Sequence, residues 1–172
     1  MDETITVNGG GLNQKNIMKK VLFVGGIALF ILASKCNAQW KLTKNKIVTG
    51  SLIVVGGASK GFNETLLFHW ERFDKKFPNA NDLWWNPAVS WKNKYKNGDP
   101  MQGAAFSGST TVLVAFTDQY HLNNFINRGA IISGMVIKIG ERQKFKYYLI
   151  DFAYYSLCYY AGFAGTYYYF KK

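Results

Sequence analysis

Residues 147–170 read YYLIDFAYYSLCYYAGFAGTYYYF, a run of 24 residues carrying one charge, Asp151, and closed by Lys171 and Lys172. A membrane-spanning helix needs roughly 20 predominantly apolar residues, so this run is long enough to cross a bilayer. It does not alternate apolar with polar residues as a barrel strand of about 10 residues would. Its reading therefore decides between a helical bundle and a barrel, and it favours the bundle.

Working outward, residues 46–70 (KIVTGSLIVVGGASKGFNETLLFHW) form a second helical candidate. Its first half is apolar and rich in small residues (Gly50, Ser51, Gly56, Gly57, Ala58), the composition that lets helices approach closely in a bilayer. Lys60 and Glu64 are four apart and share a helix face, where they can pair. Two shorter helices are expected over 109–125 and 127–140, with a basic connector over 138–146.

Between these segments lies a polar, Trp- and Lys-rich stretch, residues 71–108, holding all three prolines. It shows no sustained helical period. Trp84-Trp85-Asn86-Pro87 and Asn97-Gly98-Asp99-Pro100 are turn chemistry, so a long loop with short interfacial helices is expected.

The upstream sequence gives a location. Residues 18–38 have the parts of an export signal: Lys19 and Lys20, an apolar run from Val21 to Ala33, and a short polar exit through Cys36-Asn37-Ala38. Residues 1–17 read as an over-extended or disordered leader. Cleavage after Ala38 leaves about 134 residues, a single membrane domain over 39–172. A lipid anchor on Cys36 is the lesser reading, because Lys35 before it is neither small nor neutral. The mature chain then keeps only Cys158, which excludes a disulfide framework and a cysteine metal site.

A net charge of +11 and a pI near 9.6 would suggest nucleic acid for a cytosolic chain. An export signal argues against that partner and for anionic phospholipid head groups. Aromatic content of 17% fits the membrane–water boundary, where tyrosine and tryptophan satisfy both an apolar ring and a polar tip. A mean hydropathy of −0.10 is low for a chain buried in lipid, and the polar segment 71–108 accounts for part of that.

The expected fold is thus all-α: a small polytopic membrane bundle of three or four helices with a long polar loop. The alternative is a small outer-membrane β-barrel, supported by the signal, the Tyr and Gly content and β-prone runs such as 111–116. Lysines and arginines flank nearly every apolar segment, so the positive-inside rule gives conflicting orientations. The inner membrane of a bacterial envelope is the preferred location.

Four strings carry a resemblance: FPNAN at 77–81, WNPAVSWKNKYKNGDP at 85–100, GSTT at 108–111 and TDQYHL at 117–122. Together they resemble a group of uncharacterised small bacterial membrane proteins, over roughly residues 60–125. The resemblance implies a membrane protein and carries no activity.

Chemistry has few candidates. The two histidines, His69 and His121, lie near carboxylates, and Asp118 and His121 share a helix face. A cluster of Glu64, His69, Asp118 and His121 could run acid–base chemistry on a lipid head group, or bind a divalent metal through His69, Asp118 and His121. Against it, Glu64 and His69 diverge around a helix and no dense ligand pattern occurs. The plainer reading has Asp118–His121 as a structural pair and His69 with Trp70 as an interface marker. Gly103 to Gly108 lacks the Lys-Ser/Thr of a phosphate loop, and no nucleophile elbow exists. Trp84, Trp85 and Trp91 with Lys92, Lys94 and Lys96 read as a lipid-interface patch. The expected function is therefore non-enzymatic, through membrane lipids or a protein partner, with no cofactor and no nucleic acid; a membrane-bound enzyme is the alternative.

Overall fold

The computed structural model describes residues 40–171; the leader, the signal segment and Cys36 lie outside them. Among the described residues the fold is all-α. Three long helices carry it: α1 (Lys44–Phe68), α5 (Gln119–Lys138) and α6 (Phe145–Lys171). Between α1 and α5 lie three short helices, α2 (Trp70–Lys76), α3 (Asp82–Trp85) and α4 (Pro87–Ser90), followed by single 3-10 turns. The only extended pairing is an isolated bridge between Tyr95 and Ala104, so no barrel strand is present among these residues.

Helix α1 starts where Thr43 caps it, its side chain accepting from the Lys46 N–H. Two seams run along it at heptad-like spacing. Towards α6, a Cβ added at Gly57 would lie 2.0 Å from the Tyr159 carbonyl oxygen, one at Gly61 2.3 Å from that of Phe163, and one at Gly162 2.0 Å from that of Val54. Backbone therefore meets backbone, and only glycine fits. The pairing order, Lys46 with Asp151, Val54 with Gly162, Ala58 with Thr166, makes α1 and α6 parallel. Towards α5 the order reverses: Asn63 meets Asn123, Gly56 meets Asn127 and Thr49 meets Gly134, so α5 is antiparallel.

The interior between these helices is polar. Lys46, Thr49, Asn63, Thr65, Asn123 and Asp151 are buried, while Ile47, Val48 and Val55 of α1, Phe125, Ile132, Met135 and Val136 of α5 with Ile139 just after it, and Leu149 and Phe152 of α6 are exposed. Among the described residues a cluster of large apolar side chains forms at the far end, where Leu66, Phe73 and Phe170 are buried against Phe62, Trp70, Ala80 and Trp85; Tyr147 and Ile150 of α6 are buried outside it.

Two expectations change. Residues 109–125 and 127–140 do not make two helices. Asp118, extended and side-chain bonded to the His121 N–H, caps one helix from Gln119 onward, and residues 109–117 form turns instead. The expected junction near residue 126 lies inside α5, and Gly129 just beyond it has nothing within 4 Å of an added Cβ, so the helix runs on without a break. Second, α6 has 27 residues, about 40 Å at helical rise, yet no helix among the described residues is long and apolar enough to cross a membrane. Nine tyrosines in α6, and the Lys46, Lys60 and Glu64 charges in α1, lower the averages.

The segment 71–108 is more ordered than a slack loop. Asn81, Asn86 and Asp99 each accept a hydrogen bond from the backbone two residues on, and Pro87 and Pro100 open the turns that follow the latter two. Asn97 and Gly98 take left-handed conformations between them.

The seam predicts a contrast between glycines. Gly162→Ala forces α1 and α6 apart and costs about 1–3 kcal/mol, the usual range for overpacking. Gly129→Ala meets open space in a helix interior and is expected to stabilise by about 0.5–1 kcal/mol. Thermal unfolding of the two variants beside the parent, under one set of solution conditions, measures both.

Candidate functional site

Asp118 is fully buried. Its Oδ1 accepts from the His121 N–H at 2.9 Å, closing the helix start, and its Oδ2 accepts from the Thr117 hydroxyl at 3.0 Å. The same Oδ2 lies 2.6 Å from His121 Nδ1. Three residues of helix bring the two together, as the spacing predicts. Holding Nδ1 in this way leaves Nε2 as the ring's outward nitrogen, and it makes no hydrogen bond within the described residues.

His121 lines a cleft of about 510 Å3 with Thr111, Tyr120, Asn124, Phe125, Arg128 and Ile132 among its walls. Arg128 has no ion-pair partner among the described residues. Sequence reading passed over Arg128; a lone arginine set among Phe125, Ile132, Met135 and Val136 was the available signal.

Behind this cleft a ladder of amides ties the loop to the bundle. Trp84 Nε1 donates to Gln119 Oε1 at 3.0 Å, Gln119 Nε2 to Asn123 Oδ1 at 2.9 Å, and Asn123 Nδ2 to Asn63 Oδ1 at 2.9 Å. Asn63 Nδ2 then donates to the Tyr120 carbonyl at 3.0 Å. Asn63, with no exposure, makes both its bonds inside the protein, which is what a buried amide requires.

The four-residue cluster of Glu64, His69, Asp118 and His121 is not formed. Glu64 pairs with Lys60 at 2.5 Å, and His69 Nε2 shares a hydrogen bond with the Tyr167 hydroxyl at 3.1 Å. Asp118 and His121 hold each other. Among the described residues, no group of three or more His, Cys, Asp or Glu side chains could hold a metal ion. The reason is geometric: the turn of chain after Phe68 directs His69 toward α6, away from the start of α5.

A second charged centre, unforeseen except for Asp151 itself, closes the other end of the bundle. Lys46 Nζ meets Asp151 Oδ1 at 2.8 Å, both side chains nearly buried, and Gln143 Nε2 donates to Asp151 Oδ2 at 2.8 Å. Lys138 lies 3.4 Å from Asp151 and pairs with Glu141, whose Oε1 accepts from Asn45. Two lysines against two carboxylates neutralise one another, so this centre reads as a lock between helices.

The aromatic–basic patch divides. Trp84 is bonded to Gln119, and Trp85 packs edge-on against Phe62. Both therefore fasten the loop to the bundle. Trp91 is exposed, with Lys92 Nζ 5.9 Å from its ring and Tyr95 edge-on beside it; Lys96 is exposed too. Lys94 Nζ lies 5.3 Å from the Tyr95 ring.

Comparison with protein-family models, curated proteins and solved structures returns no match.

Two outcomes follow for the histidines. Asp118→Ala removes the cap of α5 and costs about 0.5–2 kcal/mol, whereas Asp118→Asn keeps a capping oxygen and costs less; denaturant midpoints compare them. His69 is held below its ordinary value, chiefly by burial, with Arg72 and Lys171 adding repulsion. The unfolded chain therefore takes up the proton first. Stability from the neutral ring is complete above the unfolded value near 6.5 and is lost as pH falls through it toward the folded value. His69→Gln is expected to flatten the fall in melting temperature over that window relative to the parent.

Proposed function

We propose that the protein is a non-enzymatic component of a bacterial cell envelope, seated in a membrane and acting through contacts with lipid or a protein partner. The observation that supports this most is the inverted distribution of polarity: amides and charges between the helices, large apolar side chains on their outer faces. Water would favour the reverse. In lipid, helices associate through small residues and polar contacts instead of hydrophobic burial, and the Gly57, Gly61 and Gly162 seam has that character. A hydropathy average counts inward side chains that lipid never meets, so it understates the apolarity of such a surface. Export through the segment 18–38 agrees with this location, with the inner membrane preferred, and no cofactor or nucleic acid is invoked.

The exposed Trp91 with Lys92, Lys94 and Lys96 faces the head-group layer in this reading. Each lysine near an anionic surface contributes about 1 kcal/mol, so the three together contribute roughly 3 kcal/mol.

A second reading, a membrane-bound enzyme, has one specific observation in its favour: the Asp118–His121 pair presents a free imidazole nitrogen to a cleft. A carboxylate-oriented histidine can move a proton on a bound head group.

Fractionation of expressing cells tests the leading reading. The protein is expected in the membrane pellet after an alkaline carbonate wash; recovery in the supernatant overturns it.

A further inference from the structure

We propose that the cleft at the start of α5 binds a phosphate-bearing amphiphile, its phosphate held by Arg128 and His121 and its chain laid along the outer face of α5. This deepens the membrane reading and rests on it.

The polar groups of the cleft are suited to an anion. Arg128 contributes a guanidinium with no carboxylate opposite it, and His121 contributes Nε2. Asn124 adds a neutral donor, while the Thr111 hydroxyl on the same wall donates to the Gly108 carbonyl. The carboxylate in contact with the ring, Asp118, is fully buried and holds Nδ1, which fixes the ring and leaves Nε2 to the cleft. Arginine and histidine donors arrayed around one space match the several oxygens of a phosphate better than a flat carboxylate.

The remaining walls are apolar. Val112, Val114, Phe125 and Ile132 line the cleft, and Phe125 and Ile132 are 61% and 55% exposed. From Ile132 the apolar surface continues through Met135 and Val136 to Ile139, along one face of the helix. A cationic head beside an apolar track is complementary to an anionic head on an acyl chain. A cleft of about 510 Å3 also lies within the ordinary range for small-molecule sites. Free phosphate satisfies the polar half alone.

The test uses the full chain in a neutral maltoside detergent, with the ring-nitrogen resonances of its two histidines as reporters. His69, bonded to Tyr167 elsewhere in the bundle, is the internal control. Three probes are titrated: dihexanoyl phosphatidic acid, dihexanoyl phosphatidylcholine and inorganic phosphate. The expected result is a saturable shift of His121 and not of His69 with phosphatidic acid, at an affinity at least tenfold above either other probe. Arg128→Gln is expected to weaken it by tenfold or more. Arg128→Lys, which keeps charge but not the fork, is expected to fall between.

Equal shifts of both histidines, no shift of His121, or an Arg128→Gln protein that binds like the parent each overturn the proposal. Equal affinity for inorganic phosphate overturns the amphiphile and leaves a phosphate site. Because the titration is made in detergent, its failure is distinct from failure of the membrane reading, which the carbonate wash decides alone.

Discussion

The approach of α1 to α6 is the constraint on which the rest of the structure depends. Where Gly57, Gly61 and Gly162 lie, the two backbones are so close that no side chain fits between them. This contact sets the register of the parallel pair. Lys46 then falls beside Asp151, the Ala58 carbonyl accepts from the Thr166 hydroxyl at 2.9 Å, and His69 reaches Tyr167. A displacement of one residue along the seam would place a carbonyl against a Cβ and strand a buried charge. Leaving one partner of a buried ion pair alone typically costs about 3–5 kcal/mol, so the register is held from both directions.

The interface of α1 with α5 relies on amides instead. Asn63, Asn123 and Asn127 span it, and Asn127 Nδ2 donates to the Gly56 carbonyl at 2.7 Å. Such bonds are directional, so they select one geometry where apolar contacts would tolerate sliding. Asp118 adds a local condition. The carboxylate that begins α5 also holds the His121 ring, so the aim of the imidazole and the start of the helix are set by the same atoms.

What the sequence disclosed was short-range. The 24-residue aromatic run marked α6 almost to its ends, and Asn86-Pro87 and Asp99-Pro100 announced turns whose bonds close within two residues. Lys60–Glu64 and Asp118–His121 followed from three- and four-residue spacing on a helix. The failures were of the other kind. Whether His69 and His121 share a site depends on how α1 and α2 leave each other, which no spacing encodes. The buried lysine that pairs with Asp151 lies more than a hundred residues upstream, at Lys46. Trp84 and Trp85 looked like surface anchors because amphipathic rings are suited equally to a head-group layer and to the seam beneath a folded loop. Only packing distinguishes the two.

The aromatic box around Phe170 bears on the order of assembly. Phe73, on α2, stacks near Phe170 at 5.7 Å between ring centroids, and Phe62 lies 5.5 Å from the same ring. Turns such as those at Asn81, Asn86 and Asp99 need only neighbouring residues and form as soon as the chain is available. Their docking surface is incomplete until the end of α6 arrives. A chain made from its N-terminus thus holds a shaped segment, with Phe73 and Trp85 resting on Phe62, until Phe170 is made. The last turn of α6 supplies the ring that closes this aromatic box, so apolar surface on Phe62 and Phe73 stays open until then.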